Sequence, residues 1–117
     1  MSVVITGEDV LRRHIHPTQI YDDGSVSVAA FKTTDMSLDL CRMRTLEESC
    51  AAAPGKGMAE FAAKVASDAQ LVVEFDPIKD DPRDPDNPAH CVIKGKVREG
   101  PAKKLRNAAA LTFRPPA

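Results

Sequence analysis

Apolar and polar residues follow two different periods along this chain, and these periods divide it into predicted strands and helices. Val10 to Ile15 mixes β-forming with basic residues and is closed by Pro17, which predicts a short strand. Ser25 to Phe31 alternates small polar with apolar residues, which predicts a second strand after the Asp23-Gly24 turn. The two strands could pair as a hairpin. The pattern of residues 33–44 does not distinguish strand from helix.

Two helices are predicted in the middle of the chain. Thr45 and Glu48 form a capping-box pattern, which places a short helix from Leu46 to Ala53 before the Pro54-Gly55 turn. After that turn, apolar residues recur at helical spacing through Ala69, which predicts a second, longer helix. Its apolar face consists of Met58, Phe61, Ala62, Val65, Ala66 and Ala69.

The C-terminal third contains two more predicted strands and a helix. Leu71 to Phe75 is a run of β-branched and aromatic residues, and Cys91 to Arg98 alternates apolar with basic ones. Gly100-Pro101 suits a helix start, so Ala102 to Ala110 is predicted to be helical, and residues 114–117 are expected to fray. The predicted order is β-β-α-α-β-β-α, which indicates an α+β fold with a mainly antiparallel sheet and about three helices.

Length and composition predict one compact domain, residues 1–117, in a reducing compartment. The chain has 117 residues, of which 43% are hydrophobic and 28% charged, close to globular averages. Three cysteines without a CxxC pair indicate free thiols, and the N-terminus resembles neither a signal peptide nor a membrane span, so we expect a cytoplasmic protein. Because aromatic residues are few, a homodimer would be one way to bury more surface.

The distribution of charge is uneven although the net charge is only -1. That net charge argues against a protein that binds nucleic acid non-specifically. Residues 74–86 are mainly acidic and residues 94–114 mainly basic. The simplest interpretation is that these two segments pair with each other.

The most informative segment is the proline-rich acidic loop predicted at residues 76–90. It contains four prolines and leads directly into His90 and Cys91 at the start of a predicted strand. Long proline-rich connections in small domains are often functional or mobile. A functional site is therefore expected where this loop meets the sheet.

His90 is the first candidate catalytic residue, and His16 is the second. Imidazole titrates near neutral pH, so either side chain could act as a general acid or base. Candidate ligand- or anion-binding residues are Arg12, Arg13, Lys32, Lys94 and Lys96. In the alternative interpretation, His90 and Asn87 only hydrogen-bond the loop and hold it against the sheet.

No metal site and no cofactor are predicted, but two weaker patterns remain. His14 and His16 lie two apart on a predicted strand, so they could bind one metal with His90 as a third ligand; Cys91 is the other choice. No CxxC or HExxH motif supports this site. Residues 54–57, Pro-Gly-Lys-Gly, resemble part of an anion-binding loop at a helix start, although a turn between helices is the simpler interpretation.

Motifs spread over most of the chain resemble a group of small uncharacterised bacterial proteins. The matching segments are Arg12-Arg13 with His16-Pro17, Asp23-Gly24 before Ser25 to Lys32, Ser37 with Asp39, Pro54 to Gly57, Asp76-Pro77, Asn87 to His90, and Gly95-Lys96. The resemblance covers about Leu11 to Leu105. It implies a bacterial cytosolic protein and no particular activity.

The N-terminal half is also weakly similar to RES-type and other ADP-ribosyltransferase-like domains. The corresponding segments are Arg12 to His16, Ser25 to Phe31, and Thr45 to Glu48, while the GGRW segment of those domains is missing. This similarity implies an enzyme that uses NAD or a nucleotide. In such an enzyme, we expect the site to contain His16 and His90 with Arg13, Lys32 and Glu48.

These observations favour a binding protein over an enzyme. We expect an accessory or regulatory module with a protein partner, which contacts it through the 76–90 loop and the basic residues of 94–106. The alternative is a small enzyme of nucleotide or NAD chemistry, for which His16, His90 and basic anion-binding residues would have to share one cleft.

Overall fold

The structure, a computed structural model, describes residues 3–116 and contains strands and helices in mixed order. Three short 3-10 helices, at Pro17–Gln19, Val28–Ala30 and Cys41–Met43, connect the main elements. The strands and α-helices are β1 (Val10–Ile15), β2 (Thr34–Leu40), α1 (Leu46–Ala52), β3 (Gly57–Ala62), α2 (Ala63–Asp68), β4 (Val73–Phe75), β5 (His90–Lys96), α3 (Glu99–Ala108) and β6 (Ala110–Phe113). The predicted α+β class is therefore confirmed.

The strands form one sheet in the order β4-β5-β2-β1-β3-β6, and every neighbouring pair is antiparallel. The prediction of a mainly antiparallel sheet is thus confirmed as well. Strand β1 lies in the interior of the sheet, between β2 and β3. Side chains of β1 can therefore contact elements that pack on either face of the sheet.

Helices cover both faces of the sheet. Leu11 of β1 is fully buried in the hydrophobic core, together with Ala66 of α2 and Leu105 of α3. The next residue, Arg12, points to the opposite face because successive side chains of a strand alternate. There it hydrogen-bonds Ser49 of α1. Helices α2 and α3 thus cover one face, and α1 covers part of the other.

The predicted helix from Met58 to Ala69 is wrong in its first half. Residues 57–62 form strand β3, and only Ala63–Asp68 is helical. On β3, Phe61 joins the core, while Met58 is buried on the other face. A strand buried on both faces has no apolar–polar alternation, so its sequence can match a helical pattern by coincidence.

The predicted strand from Ser25 to Phe31, and its hairpin with β1, are also wrong. Ser27 caps a 3-10 helix here, because its hydroxyl accepts a hydrogen bond from the amide of Ala29 at 3.2 Å. The hairpin partner of β1 is instead β2, in the segment 33–44 whose pattern was ambiguous.

The remaining predictions agree more closely with the structure. The capping box of Thr45 and Glu48 is present, and α1 ends one residue before the predicted boundary. Helix α3 begins at Glu99 and ends at Ala108, so the last predicted helical residue, Ala110, starts β6 instead. Beyond β6, the Arg114 guanidinium donates to the carbonyl groups of Tyr21 and Asp22, and Ala117 lies outside the described residues.

Candidate functional site

Four polar residues occupy one cross-strand row on the face that α1 covers. His90 of β5 is paired with Asp39 of β2, Asp39 with Arg12 of β1, and Arg12 with Glu60 of β3. Residues that are paired across strands have Cβ atoms about 5 Å apart. The register of the sheet therefore brings together side chains from four separate parts of the chain.

The guanidinium of Arg12 is buried and hydrogen-bonded through two of its three nitrogens. Its Nε donates to Glu60 Oε2 at 2.9 Å, and its Nη1 donates to Ser49 Oγ at 2.9 Å and to the Arg44 carbonyl at 2.8 Å. The residue is only 5% exposed. A buried charge requires such partners, so Arg12, a predicted ligand-binding residue, here fastens α1 to the sheet.

The carboxylate of Asp39 joins β2 to α1 and to the proline-rich loop. Its Oδ2 accepts a hydrogen bond from Ser49 Oγ at 2.7 Å. Its Oδ1 accepts one from Asn87 Nδ2 at 2.8 Å and lies 3.5 Å from Nη1 of Arg44. Asp39 of β2 therefore binds both helix α1, through Ser49, and the proline-rich loop, through Asn87. These two elements enclose a cleft.

The proline-rich loop, residues 76–89, is fixed at its base and exposed at its tip. The backbones of Ile78 and Asn87 exchange two hydrogen bonds, of 3.0 and 2.9 Å. The amide of Asp76 donates to the His90 carbonyl at 2.9 Å. In contrast, Asp80 and Asp84 at the tip are exposed. The loop is therefore an anchored projection beside the sheet.

Strands β1 and β2 are paired only over a short stretch. Their ladder contains Leu11 with Leu40 and Arg12 with Asp39, whereas β1 pairs with β3 over its whole length. Next to this short ladder, the guanidinium of Arg13 donates to the carbonyl groups of Ala30 and Ser37, each at 3.2 Å. The Arg13 side chain thus satisfies a carbonyl of β2 at this point.

A cleft of about 220 Å³ lies between α1 and the 76–89 loop, above β1 and β2. Helix α1 provides one wall through Ser49 and Ala52, and the loop provides the other through Ile78 and Pro85. The polar residues of its lining include His14, Ser37, Asp39, Arg44, Asp84 and His90. The cleft lies where the proline-rich loop meets the sheet, the place at which a functional site was expected.

His14 is exposed within the cleft, and its imidazole has no hydrogen-bond partner among residues 3–116. Although solvent reaches the ring, the protein atoms around the cleft partly desolvate it, and this desolvation is the main cause that lowers the pKa of His14; the nearby charges of Arg13 and Lys56 lower it further. The Asp39 carboxylate opposes them. His14 is therefore a neutral imidazole at pH 7, available to a ligand.

His90 also lines the cleft, but one of its ring nitrogens is occupied. Its Nδ1 lies 2.7 Å from the backbone oxygen of Asp76 and 3.5 Å from the carboxylate of the same residue. Together with the bond from Asn87 to Asp39, this contact holds the loop against the sheet. The structure thus shows the contacts of the alternative interpretation, in which His90 and Asn87 fasten the loop.

His16 does not reach the cleft. It is exposed, its Nδ1 lies 2.8 Å from Thr18 Oγ1, and it follows the end of β1. It is four positions from Arg12, and thus from the row that includes His90, or roughly 13 Å along an extended strand. His14 and His90 share the cleft, but His16 does not join them. Within the described part of the chain, no group of three or more His, Cys, Asp or Glu residues could hold a metal ion.

The other predicted anion-binding residues do not converge either. Arg13 lies beneath the cleft floor, where its guanidinium donates to the carbonyl groups of Ala30 and Ser37. Lys32 lies elsewhere, with its Nζ 3.8 Å from Oε1 of Glu99. Lys94 and Lys96 are exposed near the far end of β5 and do not line the cleft. Arg12, already paired, is the one of the five that lines it.

The expected pairing of the acidic and basic segments is wrong. Among the ion pairs between residues 3 and 116, none joins 74–86 to 94–114. The reason is topological, because the core-facing residues Ala102 and Leu105 hold α3 on the face opposite the cleft. Helix α3, which carries several of the basic residues, and the acidic loop therefore lie on opposite faces of the sheet.

The Pro54 to Gly57 segment is neither an anion-binding helix start nor a turn between two helices, since it leads into β3. Nor are the cysteines suited to catalysis. Burial raises the pKa of both Cys41 and Cys91 to about 11, and Cys91 is fully buried in the core. Both thiols stay protonated at neutral pH, where a thiol is a poor nucleophile.

The sequence analysis did not identify Arg44 and Ser49 as site residues, nor Asp39 and Ser37 beyond their place in a resemblance. One signal was available for Asp39, which is a carboxylate between Leu38 and Leu40 in a strand. An acid in such a position needs partners from elsewhere in the fold. Its partners Ser49 and Asn87 could not be identified without the tertiary structure.

Comparisons with known proteins find nothing significantly similar to this chain. None of the helices between residues 3 and 116 combines the length and the apolar character that a membrane span requires. No family model matches the sequence, and neither a curated protein nor a solved structure is significantly similar to it. The function must therefore be inferred from the cleft and its rim.

Proposed function

We propose that this protein acts by binding, as an accessory or regulatory module whose contact surface is the cleft and the 76–89 loop beside it. The observation that carries the proposal is the construction of this loop, which is anchored at Asn87 and exposed at its tip. A rigidly supported loop next to a concave surface is a common arrangement for recognition. Such a preformed surface loses little conformational entropy when a partner binds.

The charge of the loop supports a partner rather than a purely structural role. Its exposed acids Asp80 and Asp84 form no ion pair with another described residue. Asp81 pairs only with Arg83 of the same loop. Exposed charges of one sign steer association and select among partners. A protein partner with a complementary basic surface suits this tip.

The basic residues of 94–106 form a separate surface under this proposal. Lys103 and Lys104 are exposed on α3, on the other side of the sheet from the cleft. One partner of ordinary size could contact the loop or α3, but a flat interface would not include both. The basic face thus provides a matched control for the loop.

The test is the capture of a partner from native cell extract, followed by a binding titration with the purified partner. The loop variant is Asp80→Asn with Asp84→Asn, and the control variant is Lys103→Gln with Lys104→Gln. We expect wild type and control to bind the same partner with equal affinity, and the loop variant to lose at least about tenfold in affinity. Equal binding by the loop variant, or a monomer without any partner, would contradict the proposal.

An enzyme of nucleotide or NAD chemistry is the second candidate, and one observation favours it. His14 and His90 line the same cleft, and the lowered pKa of His14 leaves it as a free base at neutral pH. His14 would then replace His16 as the partner of His90. Thermal-shift assays with NAD and nucleotides test this candidate, because stabilisation that His14→Gln abolishes and His16→Gln retains would favour it over a purely protein-binding role.

A further inference from the structure

The carboxylate of Asp39 and the side-chain amide oxygen of Asn87, two acceptors that line the cleft, are already occupied. Both oxygens of Asp39 accept bonds, from Ser49 and from Asn87. The side-chain oxygen of Asn87 accepts the amide of Ala89 at 3.0 Å. Asp39 and Asn87 therefore have little capacity left for a ligand group that donates hydrogen bonds.

Three side chains that line the cleft have donors that are not occupied. The Arg44 guanidinium has one side-chain partner, because its Nη1 lies 3.5 Å from Oδ1 of Asp39. Its other nitrogens have none among the described residues. Neither the Ser37 hydroxyl nor the His14 imidazole hydrogen-bonds another described residue. No buried side-chain nitrogen or oxygen of residues 3–116 lacks a partner, so the free donors of Arg44 and Ser37 are accessible. All three side chains line the cleft.

We propose that the cleft binds an oxyanion, a carboxylate or phosphate group of its ligand, through the side chains of His14, Ser37 and Arg44. A planar guanidinium with free donors is the protein group best suited to such oxygens. At about 220 Å³ the cleft is larger than a single anionic group, so the anion is one end of a larger ligand. This inference rests on the proposed function, because it assigns the chemistry of the same contact surface.

The electrostatic surroundings of His14 agree with this assignment. Burial is the largest cause of the lowered pKa of His14, and the cations Arg13 and Lys56 lower it further while the Asp39 carboxylate opposes them. The charged or titratable groups around it are Arg12, Arg13, Asp39, Arg44, Lys56, Asp84 and His90. Arg12 is neutralised by Glu60, and Asp39 is bonded by three donors. Asp84 is an exposed acid at the rim, where solvent screens it.

An NMR titration of the wild-type protein tests the inference. Sodium phosphate is added in one arm and sodium acetate in the other, with sodium chloride keeping the ionic strength constant. We expect a saturable shift of the His14 ring resonances and a rise in the pKa of His14, with no change at His16. A response to phosphate alone identifies a phosphate group, and an equal or stronger response to acetate identifies a carboxylate.

Four variants test whether the anion binds at these side chains. The amide spectrum of each variant checks that it is folded. Arg44→Gln should weaken binding roughly tenfold, since it removes the charge-assisted hydrogen bonds. His14→Gln should also weaken it when followed by the amide resonance of Ser37. Asp84→Asn should strengthen binding about twofold by removing a like charge from the rim. His16→Gln is the matched control and should leave the affinity unchanged.

The inference is overturned if neither anion shifts the His14 resonances, if His16 shifts equally, or if folded Arg44→Gln binds as wild type does. These results are independent of the partner-capture experiment. Loss of the anion response with intact, loop-dependent capture would leave the proposed function standing. A specific anion response without a captured partner would instead retain the cleft as a small-ligand site and remove the protein partner.

Discussion

The side-chain amide of Asn87 donates to the carboxylate of Asp39 at 2.8 Å, across 48 residues of sequence. The oxygen of the same amide accepts the backbone N–H of Ala89 at 3.0 Å. One side chain therefore shapes the end of the proline-rich loop and ties it to the middle of the sheet. Since this loop is one wall of the cleft, the geometry of the cleft depends on Asn87.

Replacing Asn87 by Ala should lower the free energy of unfolding by about 1–3 kcal/mol. The substitution deprives the largely buried Asp39 carboxylate of one donor and the Ala89 amide of its acceptor. Urea denaturation measures the effect. The control is Asn107→Ala, an exposed position on α3, which should change stability by no more than about 0.5 kcal/mol. Equal stability of the two variants would show that the Asn87 contact does not hold the loop.

Replacing Thr45 by Ala should cost about 1 kcal/mol of stability, because it removes the N-cap of α1. The Thr45 hydroxyl accepts from the Glu48 amide at 3.1 Å, and the Glu48 carboxylate accepts from the Thr45 amide at 2.9 Å. Ser67→Ala, which removes an exposed hydroxyl on α2, is the control and should change stability by less than about 0.5 kcal/mol. A loss no larger than that of the control would mean that α1 is held by its packing alone.

His14 should make the protein less stable as the pH falls below about 6.5, the ordinary pKa of histidine. Its pKa is lowered in the folded protein, so between the folded and unfolded values the unfolded chain binds the extra proton. The contribution of the neutral ring is present above the unfolded pKa and decreases as the pH falls through this range. Urea denaturation at pH 7.5 and pH 5.5 measures it, and His14→Gln should reduce the loss.

His16→Gln is the control for this pH effect, since His16 is exposed and outside the cleft. It should retain the wild-type dependence on pH. If both variants behave alike, the loss of stability arises from other groups, and the cleft does not hold His14 in its neutral form.

The sequence predicted those elements whose signals are local. The pairing of Thr45 with Glu48 specifies the start of α1 within four residues, and Pro17 limits β1. Strand β3 was missed because its environment is created by neighbours distant in sequence, which bury Met58 on one face and Phe61 on the other. Its alanine-rich composition favours a helix until the sheet exists to receive it.

The cleft lies at the loop from which the sequence analysis expected a site, but most of its lining was not predicted. Strand alternation placed His14 and His16 on the same side of β1. Strand alternation does not show how far a cleft extends along a strand. The sequence therefore could not show that His14, and not His16, lines the cleft. The contact of Asp39 with Ser49 depends on the packing of α1 over β2, which follows from tertiary structure alone.

The central claim, that the partner binds at the cleft and its loop, is tested most directly by site-specific photo-crosslinking in native cells. One photoreactive residue replaces Asp84 on the loop, and in a second protein it replaces Lys104 on the opposite face; both positions are exposed. We predict a discrete crosslinked partner from position 84 and none from position 104. A partner crosslinked from position 104 but not from position 84 would contradict this account.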